Sequence, residues 1–231
     1  LGCHRSVCIL LHSRWANLDC KFGQSTGRIV FLDVLFGGAP LRFVSAHLPH
    51  SGYSMAEYAA SLEALEEVER ATISSKSHCI IGVDANAVLG SHNDIDNPLF
   101  IGQYGIGNRN ERGERFASFA HTNHQTVANT MFRKQPAKSW THRLWSTGEQ
   151  RQIDFLLVSP SLRNHLQNIR VSDIFQKSDH RPLLLVFKCP EHLGKKSRHC
   201  SSLNSKFWNF DVADMEAVEC FNESLRTGLS S

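Results

Sequence analysis

Apolar residues recur along the chain with two different periods, and each period predicts a different kind of element. From Ser54 to roughly Lys76 the apolar positions lie on one face of a helix, at Met55, Tyr58, Ala59, Leu62, Leu65 and Val68. Ser54 and Glu57 have the spacing of a capping box, in which each side chain bonds the other residue's backbone. The helix should therefore begin at Ser54.

Short apolar runs rich in β-branched residues predict strands over much of the remaining chain. They occupy residues 7–11, 29–35, 41–47, 78–83, 126–129, 153–158 and 183–187. The second and third runs are separated by Gly37, Gly38 and Pro40, which favour a tight reversal and therefore a hairpin.

Two shorter helices and one long loop complete the prediction. A Gly/Asn/Asp-rich loop covers residues 89–110, and Asn110 is a suitable N-cap for a helix over 111–121. A second short helix is expected at 161–167. Many strands with few helices favour an α/β fold built as a two-sheet β-sandwich flanked by helices, rather than a doubly wound parallel sheet.

Composition limits the class of protein but leaves its partner open. The 231 residues are 41% hydrophobic and 20% charged, as in ordinary globular proteins, and the net charge is only +3. Between positions 133 and 151 the single acid is Glu149, against the bases Arg133, Lys134, Lys138, Arg143 and Arg151. This segment, with Trp140 and Trp145, suits a polynucleotide backbone, although a solvated basic face has the same composition.

The seven cysteines are odd in number and scattered, and no C-x-x-C or H-E-x-x-H motif marks a zinc site. A reduced intracellular protein is the simplest interpretation. The apolar run at 7–11 is too short for a signal peptide or a membrane span. Because the chain starts at Leu1, we expect a fragment with one domain over 1–188. Residues 189–231 would form a polar linker and the start of a following region.

Three separated strings of the sequence combine a hydrophobic run with polar residues that suit phosphodiester hydrolysis. They are Ile-Ile-Gly-Val-Asp-Ala-Asn, ending at Asp84 and Asn86, then Gln-Ile-Asp with Asp154, then Ser-Asp-His with Asp179 and His180. Such hydrolysis needs a base for water, neutralised phosphoryl charge and help for the leaving oxygen. Each string alone could be turn or loop chemistry. A carboxylate inside the apolar run 153–158 is harder to explain by structure alone, because burying a lone carboxylate is costly.

In their order and spacing these strings resemble the endonuclease/exonuclease/phosphatase superfamily, over residues 7–187. The superfamily includes AP endonucleases, pancreatic deoxyribonuclease and LINE-type retrotransposon endonucleases. The resemblance implies a four-layer fold, a Mg²⁺ (or Mn²⁺) cofactor and DNA as the partner, with RNA as another possibility. No membrane is implied.

The resemblance also assigns roles to the matched residues. His180 would be the general base, Asp154 its orienting carboxylate and Asp179 a metal ligand. Asp84 and Asn86 would contact the reacting water or leaving group and the phosphate. His47, at the end of the third strand, would stabilise the phosphate or protonate the leaving oxygen; a core histidine is the alternative.

Further segments narrow the resemblance to retrotransposon-type and craniofacial-development-protein-like members. They are the helix from Asn110 to Phe116 and the Asn129-Thr130-Met131-Phe132 string. Ser139-Trp140-Thr141 resembles the aromatic-Thr segment of the superfamily, where an aromatic residue lines the substrate pocket. The resemblance implies substrate-binding roles for Asn129, Trp140 and Thr141, although Asn129 could organise the site or be a cap and Trp140 could simply pack. Such a protein would belong to a polyprotein with a reverse transcriptase and act in the nucleus.

Two strands of the resembled fold, one carrying an Asn and one carrying the main metal-binding Glu, would precede residue 7. The chain is therefore expected to be N-terminally truncated, with weakened metal binding and a bare wall beside the site. Two other functions stay open: a phosphatase or deadenylase of the same superfamily, and a catalytically degenerate nucleic-acid-binding module.

Overall fold

The computed structural model describes residues 7–12, 15, 18–36, 39–71, 78–172 and 178–188. In chain order its elements are β1 (Cys20–Thr26), β2 (Ile29–Phe36), β3 (Ala39–His47), α1 (Met55–Arg70), β4 (His78–Asp84), α2 (Glu111–Thr122), β5 (Thr126–Val127), β6 (His142–Arg143), β7 (Gln150–Arg151), β8 (Asp154–Val158), α3 (Pro160–Arg163), β9 (Leu166–Val171) and β10 (Leu183–Phe187). Short 3-10 turns follow β5 and precede β6. The expected linker over 189–231 lies outside the described residues.

Six strands form the main sheet in the order β1-β2-β3-β4-β8-β5. Neighbouring strands are antiparallel except β3 and β4, which are parallel because α1 carries the chain back between them. The predicted hairpin is present as β2 and β3. The central strand β4 is almost entirely buried, as its apolar sequence requires.

One face of the main sheet is covered by α1 and α2. The predicted capping box at Ser54 is present, and the Asn110 side chain accepts a hydrogen bond from the Gly113 N–H at 2.8 Å. Fully buried side chains fill the space beneath the helices, among them Tyr58, Leu65, Ile81, Phe116, Phe155 and Leu157. This is the larger of the two cores and fixes the sheet that carries the site.

The opposite face packs on a second sheet made by β9 and β10. Alternation along β4 sends Ile80 to this side and Ile81 to the helices. Ile80 joins a smaller core with Leu41, Val158, Leu162, Leu185 and Phe187. Two facing sheets with helices outside confirm the predicted fold class. β10 pairs with β9 along one edge, and no described strand pairs with its other edge.

Four local predictions need correction. Residues 7–11 form no strand, and Leu10 and Leu11 are exposed, because no described strand pairs with them. β1 was missed because its sequence is polar and mostly exposed, and its register with β2 holds it in place. The expected helix at 161–167 ends at Arg163, because the following residues pair with β10 as strand β9. The strand expected at 126–129 stops at Val127 and continues as a 3-10 turn.

No helix in the described part of the chain combines the length and the apolar composition that a membrane span requires.

Candidate active site

Three polar side chains stand in a row at one end of the main sheet. His47 ends β3, Asp84 ends β4 and Asp154 begins β8. The register places His47 opposite Asp84 in the parallel pair and Asp84 opposite Asp154 in the antiparallel pair. His47 Nε2 lies 3.6 Å from Asp84 Oδ2. Residues separated by many positions in the sequence therefore meet because the backbone hydrogen bonds of three adjacent strands fix them there. We call this set the strand-end row.

His180 lies in the segment that precedes β10 and contacts Asp154 at the end of the strand-end row. Its Nδ1 lies 3.0 Å from Asp154 Oδ2 and 3.1 Å from Oδ1. The predicted contact between Asp154 and His180 is therefore present. A carboxylate on Nδ1 fixes the ring orientation and stabilises the imidazolium, and it leaves Nε2 for a substrate, a water or a metal ion.

The charges and the burial at this site strongly raise the pKa values of two side chains. The hydrogen bond to Asp154 raises the pKa of His180 to about 9, assisted by the nearby charges of Asp84 and Asp179. Burial raises the pKa of Asp84 to about 7, and repulsion from Asp154 adds to the effect. The site thus concentrates negative charge in a partly desolvated place, with the imidazolium of His180 as a counter-charge.

Two buried residues hold Asp154 in position from behind. The Thr141 hydroxyl accepts hydrogen bonds from the N–H groups of Ile153 (3.1 Å) and Asp154 (3.0 Å). The Asn129 amide donates to the Asp154 carbonyl at 3.1 Å and accepts from the Leu156 N–H at 3.0 Å. Thr141 is fully buried and Asn129 is 4% exposed, so in this structure both hold the backbone at Asp154. Their substrate-binding roles stay predictions.

Trp140 was expected to line the substrate pocket. The structure places its half-buried ring beneath the guanidinium of Arg181, which lies 4.1 Å from the ring centre. Arg181 also donates to the Trp140 carbonyl at 3.2 Å. Trp140 lines neither of the two cavities beside the site. This placement favours the packing alternative, because stacking with Arg181 fixes the residue next to His180.

Asn86 follows the strand-end row in a left-handed conformation, with φ of 47°. Its backbone N–H donates to Asp84 Oδ1 at 3.0 Å, and its side-chain amide donates to the Leu48 carbonyl at 2.9 Å. An amide group has two N–H donors, so one remains for a phosphate oxygen, and Asn86 lines one of the cavities. Asn86 therefore also ties β4 to the end of β3.

Asp179 lies beside His180, as predicted, and faces a residue that sequence reasoning missed. Asp179 Oδ2 is 3.7 Å from His142 Nε2, and the rings of His142 and His180 have centroids 4.6 Å apart. His142 directly follows Thr141 in the segment singled out from the sequence. No sequence pattern indicated its place, because the contact depends on a bridge between residues far apart in the chain.

Two cavities of about 380 Å³ each flank these residues. One lies between the two sheets and is lined by Asp84, Asp154, His180, Pro182 and Leu183, among others. The other is lined by residues that include Asn86, Asn110, Arg112, His142 and Arg151. The basic segment 133–151 thus lines the second cavity through His142, Leu144 and Arg151. Asp84, Asp154 and His180 therefore face the first cavity, and Asn86 and His142 face the second.

Two groups of potential metal ligands share His180. The first contains Asp84, Asp154 and His180, and the second contains His142, Asp179 and His180. In each group the ligand atoms lie within 4.8 Å of one another. The site can therefore hold a divalent cation.

No family model matches this chain. It is 32% identical over 113 residues to craniofacial development protein 2 of Tragulus javanicus, which covers 47% of the chain. It is 28% identical over 188 residues, or 79% of the chain, to the protein of the same name in Bos taurus. The chain spans 18% and 30% of the lengths of these two relatives.

Solved structures show the same fold at low sequence identity. The endonuclease domain of TRAS1, a telomere-specific non-LTR retrotransposon, superposes with a TM-score of 0.54 and 18% identity, covering 74% of this chain and 69% of that one. The 3′ phosphatase NExo of Neisseria, bound to a product DNA hairpin, gives a TM-score of 0.54 and 16% identity, covering 74% and 70%. The AP endonuclease LMAP of Leishmania major gives 0.53 and 13%, covering 75% and 62%. The resemblance inferred from the sequence is confirmed, and the fold is that of AP endonucleases.

Proposed function

We propose that this chain forms the core of a divalent-metal-dependent phosphodiesterase that nicks DNA, as a retroelement-type endonuclease does. The observation that carries the proposal is the hydrogen bond that the Asp154 carboxylate accepts from Nδ1 of His180 at 3.0 Å, at the end of the strand-end row. This arrangement holds an imidazole in one orientation beside two further carboxylates, Asp84 and Asp179. We also propose that the whole protein includes a reverse transcriptase and works in the nucleus.

His180 is the group we assign to deprotonate the attacking water. With a pKa of about 9 it is mostly protonated at pH 7 in the metal-free site. The carboxylates around it cause this, since they stabilise the charged ring. Positive charge placed among those carboxylates would lower the pKa of His180 toward neutrality, where a general base is most effective.

The carboxylates fit a hard divalent cation such as Mg²⁺ or Mn²⁺. Burial and repulsion from Asp154 raise the pKa of Asp84, and a cation beside these carboxylates would favour the ionised form. Asp84 and Asp179 would hold the ion through oxygen atoms, the ligands that these ions prefer. When bound, such an ion supplies positive charge to the phosphoryl oxygens of the substrate. His47 and Asn86 then remain as donors toward the phosphate and the leaving oxygen.

A polynucleotide suits the surface next to the site. Arg133, Lys138 and Arg143 have exposed side chains, and Trp145 is 68% exposed in the turn between β6 and β7. Cationic groups that follow a phosphate backbone, together with an aromatic ring that can stack on a base, are typical of proteins that bind nucleic acids. DNA is the proposed substrate, and RNA offers the same chemistry.

The direct test is nicking of supercoiled plasmid by the full-length protein whose reading frame contains this chain. We expect nicking that requires Mg²⁺ or Mn²⁺ and falls about 10²- to 10⁴-fold in His180→Ala. His92→Ala, in the exposed long loop, serves as the matched control and should retain full activity. Undiminished nicking by His180→Ala would show that the role assignment is wrong.

Removal of a terminal phosphate is a second candidate, because one structural neighbour is named as a 3′ phosphatase. The same protein preparations can be given a duplex with a 3′-phosphate and a duplex with an internal site. Faster release of phosphate than internal cleavage would favour this candidate. Affinity for DNA that does not change with salt would also argue against a long polynucleotide substrate.

A further inference from the structure

Backbone pairing brings His142 directly beside the segment that carries Asp179 and His180. His142 and His180 face each other in an antiparallel bridge. The Arg143 N–H donates to the Asp179 carbonyl at 2.8 Å, and the Arg181 N–H donates to the Thr141 carbonyl at 2.7 Å. These bonds hold the segment against β6 on both sides of His180, so the three side chains are positioned by the backbone.

The separation of the side-chain atoms fits joint coordination of one ion. The two ligand atoms of His142 and Asp179 lie 3.7 Å apart, and one from each of the three residues falls within 4.8 Å of the others. Two ligands at about 2.0–2.1 Å from one tetrahedral ion are separated by roughly 3.4 Å. Small rotations of the side chains would therefore close the site. Because Asp154 already holds Nδ1 of His180, the nitrogen left for a metal is Nε2.

The support behind His180 also favours ligation. Asp154 behind His180 gives the carboxylate–histidine pair that commonly supports a metal ligand.

We propose that His142, Asp179 and His180 form a binding site for a borderline-soft transition-metal ion, with Zn²⁺ as the representative case. Two imidazole nitrogens and one carboxylate are ligands of the kind that Zn²⁺ binds, whereas Mg²⁺ prefers oxygen ligands alone. A bound ion occupies Nε2 of His180 and the carboxylate of Asp179. Zn²⁺ then acts as an inhibitor, a consequence that rests on the proposed function because that reaction needs both groups.

Zn²⁺ binding can be measured by calorimetry without any substrate, on the full chain with its accessible thiols alkylated. Blocking the thiols matters because Cys8 and Cys20 are exposed. We expect the wild-type protein to bind Zn²⁺ at one site with these ligands. The Zn²⁺ affinity of that site should fall by at least about tenfold in His142→Phe and in Asp179→Asn. His92→Phe removes an exposed histidine elsewhere and should bind as the wild type does. Circular dichroism of each variant checks that it is folded.

A further variant separates the two ligand groups. Asp84→Asn removes a ligand from the Asp84–Asp154–His180 group and should change Zn²⁺ affinity much less than His142→Phe does. Unchanged affinity in folded His142→Phe would overturn the proposal. Loss of affinity in Asp84→Asn but not in His142→Phe would place the ion in the other group and also overturn it.

The inhibitory consequence has its own measurement. In Mg²⁺-supported nicking, His142→Phe should require about tenfold more Zn²⁺ for half-inhibition than the wild type does. Zn²⁺ binding that depends on His142 without any nicking activity would support the site and contradict the proposed function. Nicking that is equally sensitive to Zn²⁺ in the wild type and in His142→Phe would support the proposed function and contradict the metal site.

Discussion

Two neighbouring regions contribute to the site, and they are built very differently. The strand-end row lies on three strands in continuous register, with Leu157 and other fully buried side chains beneath it. The hairpin of β6 and β7 has two residues in each strand, and it exposes Arg143 in β6 and Trp145 in the turn. One region has its backbone fixed over long strands, and the other is attached by a few bonds.

This difference separates the roles that each region can perform. The groups for proton transfer must be held to within tenths of an ångström, and strands of a packed sheet provide that precision. Groups that contact an extended substrate can sit on a turn, where surface loops commonly carry binding residues. Substitutions in the row should therefore affect reaction rate and stability, whereas those in the hairpin should affect binding.

Asp154→Asn should give the largest effect. The amide keeps the shape of the side chain but no longer stabilises the charged His180 ring or fixes its tautomer, so we expect nicking to fall about 10²- to 10⁴-fold. The rate at saturating DNA measures this, with Asp94→Asn in the exposed loop as the control. A loss below tenfold would mean that the row does not control the reaction.

Leu157→Ala tests the support beneath the row. Leu157 is fully buried, and its truncation should lower the free energy of unfolding by about 2–5 kcal/mol. Leu144→Ala is the matched change in the hairpin turn, where the side chain is only half-buried and the loss should stay below about 1 kcal/mol. Urea titration of both variants gives the comparison. Equal losses would show that the hairpin is as firmly packed as the sheet.

Asp84→Asn should stabilise the fold while it impairs the reaction. The pKa of Asp84 is about 7 in the folded chain against 3.8 ordinarily, so folding favours its protonated form. The stability that this preference contributes is present below pH 4 and is lost as the pH rises through 7. We expect Asn to raise stability by about 1–3 kcal/mol at pH 7.5 and by much less at pH 4. Thermal unfolding at both pH values measures the stabilisation. Equal stabilisation at pH 7.5 and at pH 4 would show that the stability does not depend on protonation of Asp84.

Trp145→Ala should have the smallest effect and change binding alone. Loss of one aromatic ring that stacks on a base should weaken DNA affinity by about 1 kcal/mol, or roughly fivefold. The melting temperature should be unchanged because the ring is exposed. Fluorescence anisotropy with labelled DNA gives the affinity. A change in the maximal nicking rate at saturating DNA would contradict the division between the two regions.

The fold could be predicted where the pattern of apolar residues was strong. β4, β8 and α1 each have a continuous core sequence or an amphipathic face, and the capping box marks the start of α1. β1 could not be predicted in the same way, because its side chains are polar and exposed and its pairing with β2 defines it. The run at 7–11 had the right composition for a strand, but the described chain offers it no pairing partner.

The residues of the site were likewise predictable only in part. Asp84, Asp154 and His180 were identified because their strings, taken together, have the order and spacing of the resembled superfamily, whereas each string alone also fits turn or loop chemistry. Their meeting is observed, whereas their catalytic roles stay predictions. Thr141 was noticed, but its buried hydroxyl bonds the backbone of β8, which only the three-dimensional structure shows. His142 was missed because nothing local indicates that a residue before a turn will face His180.

The edge of β10 that no described strand covers has a practical consequence for the protein in solution. Leu183, Leu184, Leu185, Val186 and Phe187 form an unbroken apolar run without charge, proline or glycine. Exposed strand edges of this composition can pair with the same segment of another chain and so promote aggregation. In the described part of the chain, this edge is available for such pairing at high concentration or during slow refolding. A lysine in place of the outward-facing Leu184 would act as a gatekeeper against that association.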